Sequence, residues 1–179
     1  MMGLVALFTL TAHGGNFVAL KTTGDLQRRA RALAQKAVWA VLLGSVLALF
    51  AVSHIRPAIW DNYMQHPWGF VFPLIGLAGI MGMIFFATRG RDLAAFISSA
   101  SFISGMGAAT AFGLFPNLLP ASTDPNFSLT VTNSAAGAHG LQVGLVWWGI
   151  GMVLAVAYFS YLFYSFRGKV RLGPEGEGY

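Results

Sequence analysis

The sequence of 179 residues contains no cysteine and very few charged residues. Without cysteine, the chain can form neither a disulfide nor a thiolate metal site. Charged residues make up 9% of the chain and hydrophobic residues 56%, whereas a soluble domain carries about 25% charged residues. A surface with so little charge could not face water, so the composition indicates a polytopic membrane protein.

Acidic residues are scarce as well, and none of the six lies inside an apolar segment. Ion-coupled transporters and membrane-embedded hydrolases usually need carboxylates within the membrane. The sequence also lacks a Ser-His-Asp grouping, a phosphate-binding glycine loop and a zinc-binding helix with paired histidines. We therefore expect no catalytic, cofactor-binding or metal-binding residues in this chain.

Five apolar segments are long enough to cross a membrane, which takes roughly 20 residues. They comprise residues 2–20, 37–55, 68–88, 93–114 and 141–166. Because hydrocarbon offers no partners for backbone polar groups, such segments form helices or closed barrels, and these runs alternate too little for barrel strands. The sequence predicts an all-α, polytopic transmembrane helical bundle in which residues 1–179 form one domain.

The basic residues lie in short connectors beside the spans. In chain order they are Lys21, Arg28, Arg29, Arg31 and Lys36 after the first span, Arg56 after the second, Arg89 and Arg91 after the third, and Arg167, Lys169 and Arg171 after the last. Basic connectors stay in the cytoplasm, so the first cluster sets the topology, with the N-terminus outside and the C-terminus inside. Only Arg56 is then outside, and orientation explains the positive charge better than nucleic-acid binding does.

Two polar side chains, His13 and Asn16, lie within the first span. An intramembrane histidine suggests a proton relay or a haem ligand. We favour an interhelical hydrogen bond to a serine or threonine, since no second histidine lies at matching depth in another span. His54, His66 and His139 are expected at the surface. Because so polar a helix needs protein around it, we expect the chain to be the later part of a longer protein or to fold against a partner.

Small residues recur at helical spacing in the third span, at Gly76, Gly79 and Gly82. The fourth span carries a comparable set of serines and glycines. Small residues on one face let a neighbouring helix approach closely, and close packing drives association in lipid. These glycines are therefore predicted to form a helix-packing face.

Three stretches carry a resemblance to a known family. They are HGGNFVALKTTGDLQRRARALAQ from residue 13, FPNLLPASTDPNFSLTVTNSAAG from residue 115, and YFSYLFYSFRGKV from residue 158. In order and spacing they resemble subunit II of the bd-type quinol oxidases, the bacterial terminal oxidases that include the cyanide-insensitive form. The family's subunit is longer, and what this chain resembles is its C-terminal half.

The resemblance implies a place in an enzyme rather than an active site in this chain. In such oxidases, subunit I holds b-type and d-type haems and oxidises quinol, and subunit II is a haem-free helical bundle required for assembly. The implied partners are the haem-bearing subunit I and lipid of the bacterial inner membrane, together with a quinone or a small accessory subunit. The alternative is an independent small membrane protein that acts as a homo-oligomeric scaffold or a permease component.

Overall fold

The computed structural model of the protein describes residues 1–170. Within that range it contains six α-helices: α1 (Met2–Lys21), α2 (Gly24–Ile55), α3 (Ile59–Gln65), α4 (Val71–Thr88), α5 (Asp92–Leu114) and α6 (Ala138–Ser165). Two strands, β1 (Asn117–Leu119) and β2 (Leu129–Thr130), pair antiparallel. The predicted all-α class is confirmed. Arg171, counted above among the basic residues, lies outside the described residues.

Five helical segments are long and apolar enough to cross a membrane, as predicted. They are α1, α2, residues 67–88 with α4, α5 and α6. Four of these agree with the predicted spans to within a few residues at each end. The remaining one, α2, begins well before its predicted span.

The early start of α2 places most of the first basic cluster on a helix rather than in a connector. Residues 24–36 are helical although they are polar, and only Thr22 and Thr23 separate α1 from α2. Arginine, alanine, leucine and glutamine are strong helix formers, so the helix continues past the end of the apolar run. At about 1.5 Å per residue, a helix of 32 residues exceeds the roughly 30 Å hydrocarbon layer, and the excess carries the arginines.

Contacts divide the described chain into two units, residues 1–114 with 169–170, and residues 115–168. In the first unit α1 packs on α2, α4 packs on α5, and α1 also contacts α5. Its core includes Ala12, Val38, Val41, Met83 and Phe102. The second unit contains the β1–β2 hairpin and α6, none of whose residues is buried. The expectation that all five spans form one bundle stays a prediction.

The glycines of α4 lie against α5. A Cβ atom at Gly79 would lie 2.6 Å from the backbone nitrogen of Phe102 and 2.7 Å from the carbonyl oxygen of Ser98. At Gly82 it would overlap the Ser98 side chain, and at Gly76 it would lie 3.0 Å from a methionine sulfur of α5. The two helices therefore approach so closely that their backbones touch where side chains are absent.

The short helix α3 is fixed to the end of α5 by a buried tyrosine. Tyr63 is 5% exposed, and its hydroxyl donates a hydrogen bond of 2.7 Å to the carbonyl oxygen of Ala109. Its ring lies 5.0 Å from those of Phe70 and Phe112. Burial raises the pKa of Tyr63, because a phenolate would lose its hydration, so the hydroxyl remains a donor.

We predict that Gly79→Ala lowers the stability of the protein. The added methyl group would meet backbone atoms of α5, which cannot turn aside as a flexible side chain can, and overpacking typically costs about 1–3 kcal/mol. Thermal unfolding of the purified chain in detergent micelles, followed by circular dichroism, measures the effect. The matched control is Gly107→Ala on α5, where a Cβ atom meets nothing within 4 Å. Equal melting temperatures for the two variants would contradict the close approach.

Candidate functional site

The polar face of α1 is directed at α5. His13 Nδ1 lies 2.8 Å from Ser99 Oγ, and the imidazole stacks on the Phe96 ring with centroids 4.8 Å apart. Ser99 Oγ donates its proton to the carbonyl oxygen of Phe96 at 2.6 Å. Because a hydroxyl has one proton, His13 donates to Ser99 through Nδ1. The hydrogen bond therefore joins two helices across a partly buried interface.

Asn16 lies one helical turn beyond His13 and is more deeply enclosed. The residue is 4% exposed, and its Nδ2 has no hydrogen-bond partner among the described residues. It lines a cavity of about 90 Å³ between α1, α2 and α4. The two polar residues singled out in the first span thus have different surroundings, since His13 has a protein partner for Nδ1 and Asn16 has none for Nδ2.

Asp92, the first residue of α5, is the centre of a charged cluster. Its side chain is 9% exposed. Its two carboxylate oxygens accept hydrogen bonds from Arg31 Nε at 2.7 Å and from Arg31 Nη2 at 2.8 Å, and one also accepts from Gln27 Nε2 at 2.8 Å. Lys169 Nζ lies 3.3 Å away. The arginine contact is bidentate, the arrangement that makes arginine–carboxylate pairs strong and directional.

The five cations of the first basic cluster are not equivalent in the structure. Arg31 binds Asp92, whereas Arg28 pairs with Asp25 where both side chains are about four-fifths exposed. Arg29 and Lys36 are exposed, and Lys21 is partly buried at the end of α1. Arg31 is thus held in a largely buried ion pair, whereas Arg28 pairs at the surface.

From local sequence, Asp92 is only a carboxylate in the first turn of a predicted helix, where the helix dipole favours it. Its binding to Gln27 and Arg31 joins residues 65 and 61 positions apart. No local pattern encodes such a distance. A single acidic residue at the end of a span, in a chain with so few acids, was the available signal.

The remaining histidines do not join this polar region in a metal site. His54, His66 and His139 are exposed. Among residues 1–170, no group of three His, Cys, Asp or Glu side chains is arranged to hold a metal ion. The glycines Gly76, Gly79 and Gly82 lie instead at the α4–α5 interface described above.

Comparison with known proteins identifies a family. The sequence pattern of cytochrome bd terminal oxidase subunit II matches residues 1–166. The chain is 30% identical to cytochrome bd ubiquinol oxidase subunit 2 of Bacillus subtilis, over 79% of this chain and 41% of that protein. It is 25% identical to a Haemophilus influenzae protein named "Probable cytochrome oxidase subunit 2", over 95% of this chain and 52% of that protein.

A third relative is cytochrome bd-I ubiquinol oxidase subunit 2 of Escherichia coli, 22% identical over 95% of this chain and 52% of that protein. The chain therefore spans about half the length of the curated relatives that it matches. The family match extends over nearly all of the chain. It includes His13, Asn16 and Ser99, and also Gln27, Arg31 and Asp92 of the charged cluster, whereas Lys169 lies beyond it.

We predict that Arg31→Leu destabilises the protein by about 1–3 kcal/mol, the usual cost of leaving a buried polar group without its partner. The carboxylate of Asp92 would remain largely buried without its bidentate donor. The free energy of unfolding can be measured by titration with dodecyl sulfate in mixed micelles. Asp92→Asn in the Arg31→Leu background should restore part of the loss, because a neutral amide needs no counter-charge.

The matched control is Arg28→Leu, which breaks an exposed ion pair and should cost no more than about 1 kcal/mol. Equal losses for the Arg28 and Arg31 variants would show that the Asp92 cluster contributes no more than surface charge does.

Proposed function

Because the chain belongs to the cytochrome bd terminal oxidase subunit II family, we propose that it is a helical scaffold subunit of a terminal oxidase. In that role it supports assembly of an enzyme that couples quinol oxidation to the reduction of oxygen to water. The observation that carries the proposal is the family match over residues 1–166. The five apolar helices support it, because they suit a multi-pass membrane subunit.

The proposed partner is a haem-bearing subunit I in the bacterial inner membrane. The b-type and d-type haems and the quinol would be bound mainly by that subunit. The length and apolar composition of α6 support this proposal, because they suit a helix that crosses a membrane. Further proposed contacts are with membrane lipid, a quinone and a small accessory subunit.

We propose that His13 has a packing role rather than a role in proton transfer or haem ligation. Its Nδ1 is engaged by Ser99 and its ring is stacked on Phe96. Hydrogen bonds of this kind are worth about 0.6 kcal/mol on average between membrane helices. Such a bond contributes modestly to stability and more to the register between α1 and α5.

Two further points of organisation belong to the proposal. The five spans would pack as one bundle, and the chain would correspond to the C-terminal half of the longer subunit, as the order of the three resembling stretches suggests. The first basic cluster would lie in the cytoplasm and set the orientation. The N-terminus of this chain would then be outside and its C-terminus inside.

The orientation can be tested directly because the chain has no cysteine. We predict that Ser122→Cys reacts with a membrane-impermeant maleimide added to intact cells, and that Asp25→Cys reacts only after permeabilisation. Both positions are exposed, and neither substitution removes a positive charge. Labelling of Asp25→Cys in intact cells, with Ser122→Cys protected, would reverse the proposed topology.

Co-purification tests the proposed role. We expect an affinity-tagged chain isolated from its native membranes in mild detergent to retain a second, haem-bearing polypeptide. The complex should show the long-wavelength absorption band of a d-type haem. The untagged chain processed in parallel controls for haem protein that adheres to the resin. A colourless homo-oligomer would refute the proposal and favour the alternative, an independent membrane scaffold or permease component.

A further inference from the structure

A small cavity lies inside the first unit, at the junction of α1, α2 and α4. Its volume is about 90 Å³, and its lining includes Asn16, Ala34, Gln35, Val38, Met83 and Thr88. Of the nine residues that line the cavity, six are hydrophobic. The other three provide the amides of Asn16 and Gln35 and the hydroxyl of Thr88.

Asn16 is the reason to expect an occupant. The residue is 96% buried, from an exposed fraction of 4%, and its Nδ2 has no acceptor among the described residues. A buried amide donor without a partner is strongly unfavourable, and native structures almost always satisfy such groups with protein or ordered water. The amide therefore points to an acceptor outside residues 1–170.

The cavity is connected to the basic end of the helices. A broad groove lined by Gly24, Gln27 and Arg31 shares Gln35, Ala87 and Thr88 with the cavity. Thr88 is exposed and Gln35 is partly exposed, so these shared residues form an entrance. Through these shared residues, a small polar molecule would approach Asn16 from the groove rather than from the apolar side of the helices.

We propose that this cavity is a water-binding site in which Asn16 Nδ2 is the innermost donor and Gln35 and Thr88 line the entrance. At about 30 Å³ per molecule in the liquid, 90 Å³ accommodates about three waters. The Thr88 hydroxyl already donates to the carbonyl oxygen of Phe85 at 2.9 Å, so it offers water an acceptor. The site brings water into the first span to a position one helical turn from His13, and it does not depend on the proposed function.

Oxidation of a native methionine can be used to detect water in the cavity. Met83 is 2% exposed and lines the cavity, whereas Met64, on α3 outside the five spans, is 68% exposed. Synchrotron radiolysis of the full-length chain in lipid nanodiscs generates hydroxyl radicals from bound water, and these oxidise a nearby methionine to its sulfoxide. Tandem mass spectrometry separates oxidation at the two positions. We expect Met83 to be oxidised within about tenfold of Met64 if water is bound beside it.

Two variants of Asn16 separate water binding from simple access. Asn16→Leu removes the donor and fills the space, and it should lower Met83 oxidation at least about fivefold because an apolar cavity stays dry. Asn16→Ala removes the donor but enlarges the cavity, and Met83 oxidation should fall here too. The alanine variant also tests the loss of the donor if the leucine variant does not fold. Oxidation of Met64 should be unchanged in both variants.

The proposal would be overturned if Met83 in the natural chain were oxidised no more than in an unirradiated sample. It would also be overturned if Asn16→Leu left the oxidation of Met83 unchanged. Increased oxidation in Asn16→Ala would also overturn it, because it would mean that water enters according to space and not according to the amide.

Discussion

Polar groups that enter hydrocarbon must find a partner, because the surrounding lipid supplies none. The helices satisfy this constraint for the backbone, and the side chains follow the same rule. Hydroxyl groups within α5 donate to a carbonyl one turn earlier, as Ser98 does to Ala94 and Thr110 does to Met106. The constraint makes Asn16 informative, since its Nδ2 reaches no acceptor in the described chain.

Lipid also removes the hydrophobic driving force for helix association, because lipid tails are as apolar as leucine side chains. Small residues provide the alternative, which is close contact over many atoms. At the α1–α2 interface, a Cβ atom at Gly15 would lie 3.0 Å from the Ala34 side chain and 3.2 Å from the carbonyl oxygen of Ala30. The α4–α5 interface uses Gly79 in the same way. Both helix pairs therefore depend on residues whose contribution is their small size.

Charge is concentrated at one end of the first unit, where it joins segments that are distant in the sequence. Asp92 binds Arg31 from α2 and Lys169 from the segment after α6. The backbone nitrogen of Val170 donates to the carbonyl oxygen of Lys21 at 2.7 Å. These contacts hold Lys169 and Val170 against the end of α1 and the beginning of α5.

The sequence by itself determined the membrane class, the number of helices that can span it and the family, because hydropathy, segment length and motif order are properties of neighbouring residues. It also identified His13, Asn16 and the glycines of α4 as unusual for their positions. Only the tertiary structure decided that His13 meets Ser99, 86 positions away, and that Asp92 meets Arg31. It also showed that Asn16 faces a cavity. Such pairings depend on which helix faces turn toward one another, and that choice results from packing between segments that are distant in the chain.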